Sequence, residues 1–256
     1  MKIAVISDIH GNLPALEAVI DDMKNQKVDQ IICLGDMVGK GPSSKEVIDI
    51  CREECDIILE GNWERFLYED YAHVKNADIS PGPDNELSKR SQWYIDQIGT
   101  ERMEYLNSLP HLAELYVSGK LIRLFHAHPT SFNRYYADSP IEKRLELLGY
   151  PHRDTAFQKQ SDIAIYADIH NAYMQDINGS ILLNVGSVGN PLDIPQSSYI
   201  ILEGEKDSEA DSRYAIQWIR VPYDIEKAVS IARASGQPDL DEYIIEITTA
   251  QYCKRK

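Results

Sequence analysis

Seven side chains able to hold a metal recur at corresponding places along this chain: Asp8 and His10, Asp36, Asn62, His126, and Asp168 with His170. Each closely follows a short apolar run. Imidazole mixed with carboxylate and amide suits manganese, iron or zinc better than magnesium, which prefers oxygen alone and keeps its waters. A set of this size and type is what two ions need when they sit roughly 3.5–4 Å apart and share one carboxylate. Asp36 is the natural bridge, because Gly35 before it lets the loop bend tightly. Taken singly, each residue has a plainer reading: a solvated histidine, a turn asparagine, an aspartate capping a helix. Their repetition at successive strand ends favours a metal centre.

The elements that must position these residues follow from the periodicity. Lys2 to Ile6 is apolar enough for both faces of a buried strand, and it runs straight into Ser7-Asp8-Ile9-His10-Gly11-Asn12. Leu16, Val19, Ile20 and Met23 then recur at helical spacing, with Pro14 in the first turn. A strand from Gln30 to Leu34 ends on Gly35-Asp36. Ser43-x-x-Glu46 predicts a capping box for the next helix, and a strand from Asp56 to Leu59 ends on Glu60-Gly61-Asn62. Strand and helix alternating at this spacing predict right-handed parallel crossovers. Parallel strands put Asp8, His10, Asp36 and Asn62 at one carboxyl edge, where such sheets bind ligands.

Residues 63–114 read as helices (Glu64 to Val74, Glu86 to Ile98, Thr100 to Ser108) broken by Ser80-Pro81-Gly82-Pro83, an insertion above the sheet. A hairpin through Ser118-Gly119 leads to His126-Ala127-His128. A polar, aromatic-rich stretch at 130–161 carries Arg134, Tyr135 and Arg153. The strand from Asp162 to Tyr166 delivers Asp168 and His170, and Asn178-Gly179 marks another hairpin. Strands from Ser198 to Leu202 and Tyr214 to Val221 and a helix from Ile225 to Ala234 complete the tail. The expectation is one domain over 1–256 with cap insertions at about 63–114 and 130–161.

Composition narrows the partners. The 256 residues carry a formal charge of −15, which disfavours long nucleic acids, whose affinity rests on neutralised phosphates. A small anionic substrate remains compatible, since bound divalent ions reverse the local field. The chain holds no apolar run of membrane-spanning length and no signal-peptide pattern at Met1-Lys2, so no membrane partner and a cytoplasmic location are expected. Four cysteines are too few to staple such a chain and read as reduced thiols.

The run Ser7 to Asn12, then Gly35-Asp36-x-x-x-x-Gly41-Pro42, Gly61-Asn62, His126 and Asn184-Val185-Gly186-Ser187-Val188-Gly189 resembles the calcineurin-like metallophosphoesterases, in the family's order over most of residues 1–200. The sequence looks closest to the small bacterial phosphodiesterases and the asymmetrical diadenosine tetraphosphate hydrolases. The resemblance implies an α/β fold, a four-layer αββα sandwich of two facing sheets, in place of a simple open sheet. It also implies that Asp8, His10, Asp36 and His170 hold one metal, and that Asp36, Asn62, His126 and the position of Asp168 hold the other. Two departures stand out. The family's Gly-Asn-His-Glu/Asp, whose histidine is the presumed general acid, here reads Gly61-Asn62-Trp63-Glu64. Its Gly-His-Thr-His becomes Ala167-Asp168-Ile169-His170, so carboxylate replaces a ligand imidazole.

The resulting expectation is a phosphoesterase with two transition-metal ions, manganese or iron foremost and zinc as an alternative, and a bridging hydroxide that attacks phosphorus. Asp36 and Asn62 would act in catalysis, and His128 is a candidate for the missing acid. Trp63, Arg134, Tyr135 and Arg153 are candidates for binding a small phosphorylated substrate of nucleotide type. Lacking the acid histidine, such an enzyme favours leaving groups that depart unprotonated, and dinucleoside polyphosphates such as diadenosine tetraphosphate suit it best. The alternatives are a protein serine/threonine phosphatase and a non-catalytic scaffold on the same fold. The oligomeric state is left open.

Overall fold

A computed structural model describes residues 1–75, 89–149 and 159–253. Its first half alternates strand and helix: β1 (Lys2–Ile6), α1 (Leu13–Asn25), β2 (Gln30–Cys33), α2 (Ser44–Glu54), β3 (Ile57–Ile58). Three helices follow, α3 (Asn62–Lys75), α4 (Lys89–Ile98) and α5 (Thr100–Asn107). The hairpin β4 (Leu112–Val117) and β5 (Lys120–Phe125) leads through an irregular loop to α6 (Ile141–Leu147). Next come β6 (Ile163–Tyr166), β7 (Tyr173–Ile177), β8 (Ser180–Asn184), β9 (Ser197–Glu203) and β10 (Ala215–Val221). Helices α7 (Ile225–Ser235) and α8 (Leu240–Thr249) follow.

The strands form two five-stranded mixed sheets, ordered β10-β9-β1-β2-β3 and β4-β5-β6-β8-β7. In the first sheet β1, β2 and β3 are parallel, as their helical crossovers require, while β9 and β10 add antiparallel. In the second, β5, β6 and β8 are parallel, with β4 and β7 as antiparallel edges. The carboxyl ends of β1, β2, β3, β5 and β6 therefore face one another along a single edge.

Because β1 is buried on both faces, its side chains divide between two cores. Ile3 and Val5 point inward with Ile32 and Leu34, against Ile122, Leu124, Ile163, Ile165 and Leu183 of the second sheet. Ala4 and Ile6 point outward onto Leu16, Val19, Val47 and Ile48 of the first two helices. Leu67, Tyr94, Ile98 and Met103 join that same outer core, so the described helices of the 63–114 stretch pack over the outer side of the first sheet. Beyond the second sheet, Phe125, Ala164, Tyr166 and Leu182 pack on Leu147 and Leu148. The layers are helix, sheet, sheet and helix, the expected α/β sandwich. No described helix is long and apolar enough to cross a membrane.

Two local expectations need correcting. Ser43 precedes α2, but its side chain makes no capping bond. Its own N–H is drawn to the Gly11 carbonyl at 2.9 Å, so the loop contact sets its backbone at φ −110°, ψ 41°. The tail does not end with the helix after β10: α8 follows it, with Leu240, Tyr243 and Ile247 at helical spacing packed on Ala228 and Ala232 of α7.

Candidate metal centre

The loops leaving β1 and β2 are zipped together by their backbones. The N–H groups of Asp8, His10 and Gly11 donate to the carbonyls of Gly35, Asp36 and Met37 at 2.9–3.0 Å. Twelve described non-glycine residues adopt positive φ, and five of them are Asp8, His10, Asp36, Asp168 and His170. Left-handed backbone is unfavourable for such residues and persists where the surroundings over-determine it. Its concentration here marks these loop positions as held for a purpose, not as incidental turns.

The side chains converge. Asp8, His10 and His170 form one buried group whose ligand atoms all lie within 4.8 Å of one another, and Asp8, Asp36 and His126 form a second. Asp8 is common to both groups, and the Oδ2 of Asp36 stands 3.5 Å from His10 Nε2 and 3.4 Å from His126 Nε2. The Oδ1 of Asn62 is 2.9 Å from His126 Nε2. Asp168 belongs to neither group, though its Oδ1 lies 4.0 Å from His126 Nε2.

The tautomers are fixed from behind. Nδ1 of His10, His126 and His170 faces the carbonyls of Val38, Leu34 and Asn190 at 3.0, 3.1 and 2.5 Å. A carbonyl only accepts, so each Nδ1 carries a proton and each Nε2 is the atom aimed into the centre, the arrangement of ligand histidines once Nε2 is free of its own proton. Nε2 of His10 and Nε2 of His170 face each other at 3.1 Å, a contact that needs either a proton or a metal ion between the two nitrogens. Buried Asp8 Oδ1 has no hydrogen-bond partner, although such atoms are normally satisfied. Two imidazole lone pairs and an orphaned carboxylate oxygen aimed at one point fit a transition-metal ion.

Charge inside the centre follows burial first and neighbours second. Burial, then His170 and Lys40, hold His10 well below its usual range, keeping it neutral. Burial opposes a charge on His126, but Asp36, Asp8 and Asp168 outweigh it and push that imidazole up to about 10. Burial raises Asp36 against the pull of His126. For Asp8 the balance tips the other way: burial, the largest effect, raises it, but His170 and His126 together hold it below the usual carboxylate range.

Glu64, the last residue of the Gly61-Asn62-Trp63-Glu64 run, anchors the loop that carries Asp36. Its two oxygens accept from the backbone N–H groups of Asp36, Met37, Val38 and Gly61 at 2.7–3.3 Å. Burial, then the charge on Asp36, push it up to about 7. Asp36 Oδ1 returns the favour to α3 by accepting the Trp63 N–H at 2.8 Å, so it caps that helix as well as facing the metal centre. A Cβ on Gly61 would lie 2.3 Å from Asp36 Oδ1 and 2.6 Å from Glu64 Oε2. Only glycine lets the two carboxylates pass.

Above the centre opens a cavity of about 640 Å³ with Asp36, Asp168 and His170 in its lining. Its walls carry Lys40, Arg134 and three aromatic rings, Trp63, Tyr136 and Tyr252. Of the substrate candidates, Trp63 and Arg134 line this space and Tyr135 does not. The Tyr135 ring packs with Leu147 and Leu148 and its hydroxyl donates to Glu146 at 2.7 Å; its neighbour Tyr136 takes the wall. Arg153 lies outside the described residues. His128 stands apart from the lining, edge-on to Tyr135, with burial holding it below its usual range. Lys40 and Tyr252 were not anticipated. Lys40 had a signal, since it lies within the Gly35 to Pro42 motif, whereas Tyr252 reaches the cavity only because α8 folds back.

Residues 1–207 match the model of the calcineurin-like phosphoesterase superfamily domain. An uncharacterized protein of Methanocaldococcus jannaschii, MJ0912, is 32% identical over 238 residues, which cover 88% of this chain and 89% of that one. A metallophosphoesterase from Sphaerobacter thermophilus superposes with a TM-score of 0.69 at 25% identity, over 98% of this chain and 99% of that one. A hypothetical protein from Pyrococcus horikoshii, PH1004, shares the fold with a TM-score of 0.73 at 17% identity, over the same shares.

Proposed function

The chain belongs to the calcineurin-like phosphoesterase superfamily, and from that premise we propose that it is a dinuclear metal-dependent hydrolase of phosphoanhydride bonds in small nucleotide substrates. Dinucleoside polyphosphates such as diadenosine tetraphosphate suit it best, and phosphodiesters with activated leaving groups come next. The observation that carries the reading is the convergence of three Nδ1-anchored imidazoles on Asp8 and Asp36 at the floor of a cavity.

Asp8, His10, Asp36 and His170 would hold one ion. Asp36, Asn62 and His126 would hold the other, with Asp168 beside them. Manganese or iron suits the mixed donors, and zinc is compatible. When bound, such ions supply Lewis acidity toward phosphoryl oxygens and a nucleophile from water at neutral pH. The chain's own groups do the rest. Lys40 and Arg134 stand in the wall already matched to Glu246 and Asp168, and the part-exposed Arg134 is the one of the two within reach of a bound phosphate. Tyr136 and Tyr252 offer exposed rings on which a base can stack, a contact that tolerates any base, while the Arg90 guanidinium lies over the Trp63 ring at 4.7 Å.

What the chain lacks at the leaving-group side selects the substrate. Trp63 stands where the resembling proteins have histidine, and its ring is held edge-on to His10 and Tyr94. An indole N–H does not protonate a departing oxygen, and His128 is outside the cavity lining. A nucleotide phosphate leaves readily without a proton, whereas an alkoxide does not.

The test is a substrate panel on the manganese-loaded protein, with Asp36→Asn as a control that should lose turnover. Diadenosine tetraphosphate and a nitrophenyl phosphodiester should be cleaved at least about a hundredfold faster than a simple alkyl diester, the scale of a missing general acid. Equal rates would refute the leaving-group argument. No turnover on any substrate would favour a second reading, a non-catalytic scaffold, to which the replacement of the acid histidine by Trp63 points. Turnover of a phosphoserine peptide alone would favour a protein phosphatase.

A further inference from the structure

Asp8 and Asp36 face imidazoles, but Asp168 faces a guanidinium. Arg134 Nε donates to Asp168 Oδ2 and Arg134 Nη2 to Asp168 Oδ1, both at 2.7 Å. This is a bidentate fork, the strongest pairing a carboxylate makes with a side chain. Asp168 is 4% exposed while the arginine side chain is 47% exposed, so the guanidinium closes over the carboxylate from the cavity side. The main chain of the aspartate is held in place, at φ 67° with its N–H donating to Asp8 Oδ2 at 3.1 Å.

Resting on the reading above, we propose that Arg134 occupies Asp168 as an internal cation, leaving the second metal position with Asp36, Asn62 and His126 as its working protein ligands. That position is the weaker of the two, and Arg134 supplies beside it part of the positive charge a fourth-ligand site would have drawn from a tightly held ion. Both oxygens of Asp168 already point at the fork, and an ion bound to either would also sit close to the guanidinium charge. The absence of Asp168 from both converging ligand groups, despite its 4.0 Å approach to His126, agrees with this. The ordinary role of a group bonded to a metal ligand is the opposite: it orients the ligand, and its loss weakens the metal 10- to 100-fold. The two roles predict changes of opposite sign.

The experiment is a chelator-competition titration with Mn²⁺ alone, alongside thermal melting with and without Mn²⁺. The wild-type protein should bind one ion tightly and a second at least about tenfold more weakly. Arg134→Gln should tighten the weaker site about 10-fold or more, and Mn²⁺ should raise the Tm of that variant more than that of the wild type. Arg134→Lys, which cannot form the fork, should fall between them. Adding Asp168→Asn to Arg134→Gln should return the weaker site to wild-type affinity. Two equally tight sites in the wild type, or an Arg134→Gln variant whose second site is unchanged or weaker, overturns the inference while leaving the metal-dependent hydrolase standing. No Mn²⁺ binding at all overturns both.

Discussion

At the scale of single residues the centre is a contest between protons and metal for the same lone pairs. His126 shows it most clearly, since Asp36, Asp8 and Asp168 overcome the cost of burial and push it up to about 10. Below that pH the metal-free imidazole carries a proton that an incoming ion must displace. Metal affinity at the Asp36–His126 position should therefore rise as pH rises, by about tenfold per unit for each proton released, across the range from 6 to 8. The measurement is calorimetric titration of Mn²⁺ in buffers of different ionisation enthalpy, which counts protons released. A pH-independent affinity with no proton release would show that His126 is already neutral. His10 should contribute little to this dependence, because burial keeps it neutral throughout.

Elements matter through the way their ends are tied. The N-terminus of α3 is tied to the β2 loop from both sides, by Asp36 on the Trp63 N–H and by Glu64. Glu64 reaches back to Gly61 and across to three N–H groups of the β2 loop. Replacing it by alanine orphans four buried donors at once, and even one such loss costs about 1–3 kcal/mol. Glu64→Ala should destabilise by about 3 kcal/mol or more, a fall in Tm of roughly 6–12 °C for a chain of this length. It should also lower metal content, because Asp36 loses the loop that holds it. Glu64→Gln keeps one acceptor and should fall between. A normal Tm with normal metal content in Glu64→Ala would show that the loop is held by other contacts. The same ends explain what was legible. Asp8, Asp36, Asn62, His126, Asp168 and His170 could be read because each follows an apolar run whose strand could be recognised. Glu64 stands in the Gly61-Asn62-Trp63-Glu64 run, but its hold on the β2 loop could not be read, since its partners there lie 26–28 residues away and its spacing from Gly61 mimics an ordinary first-turn glutamate. Tyr135 is expected at the site and Tyr136 lines the cavity, because both sit in an irregular loop where no period tells which neighbour faces it.

Across the whole molecule, the site begun by the first strand is completed by the last helix. Helix α8 carries Glu246, fully buried, to Lys40 Nζ at 3.1 Å and Asn190 Nδ2 at 3.0 Å. Asn190 Oδ1 accepts from the same ammonium at 2.6 Å, and its backbone carbonyl fixes His170 Nδ1. A chain of contacts thus runs from α8 through Asn190 to a metal-facing imidazole, and the residues after α8 bring Tyr252 to the cavity wall. None of this is visible locally, because a glutamate on an amphipathic helix ordinarily faces solvent. Glu246→Ala leaves the Lys40 charge buried without its carboxylate, a change that typically costs about 3–5 kcal/mol. It should lower Tm and, by loosening the Asn190 carbonyl on His170, weaken metal at the Asp8–His10–His170 group. The double variant Lys40→Met with Glu246→Leu separates these effects, since exchanging both partners of a buried pair for apolar groups is often neutral in stability. It should recover most of the lost Tm. If Asn190 positions His170 through the pair, metal affinity should stay reduced in the double variant. Full recovery of both would reduce the pair to a prop for the fold, with no hold on the metal.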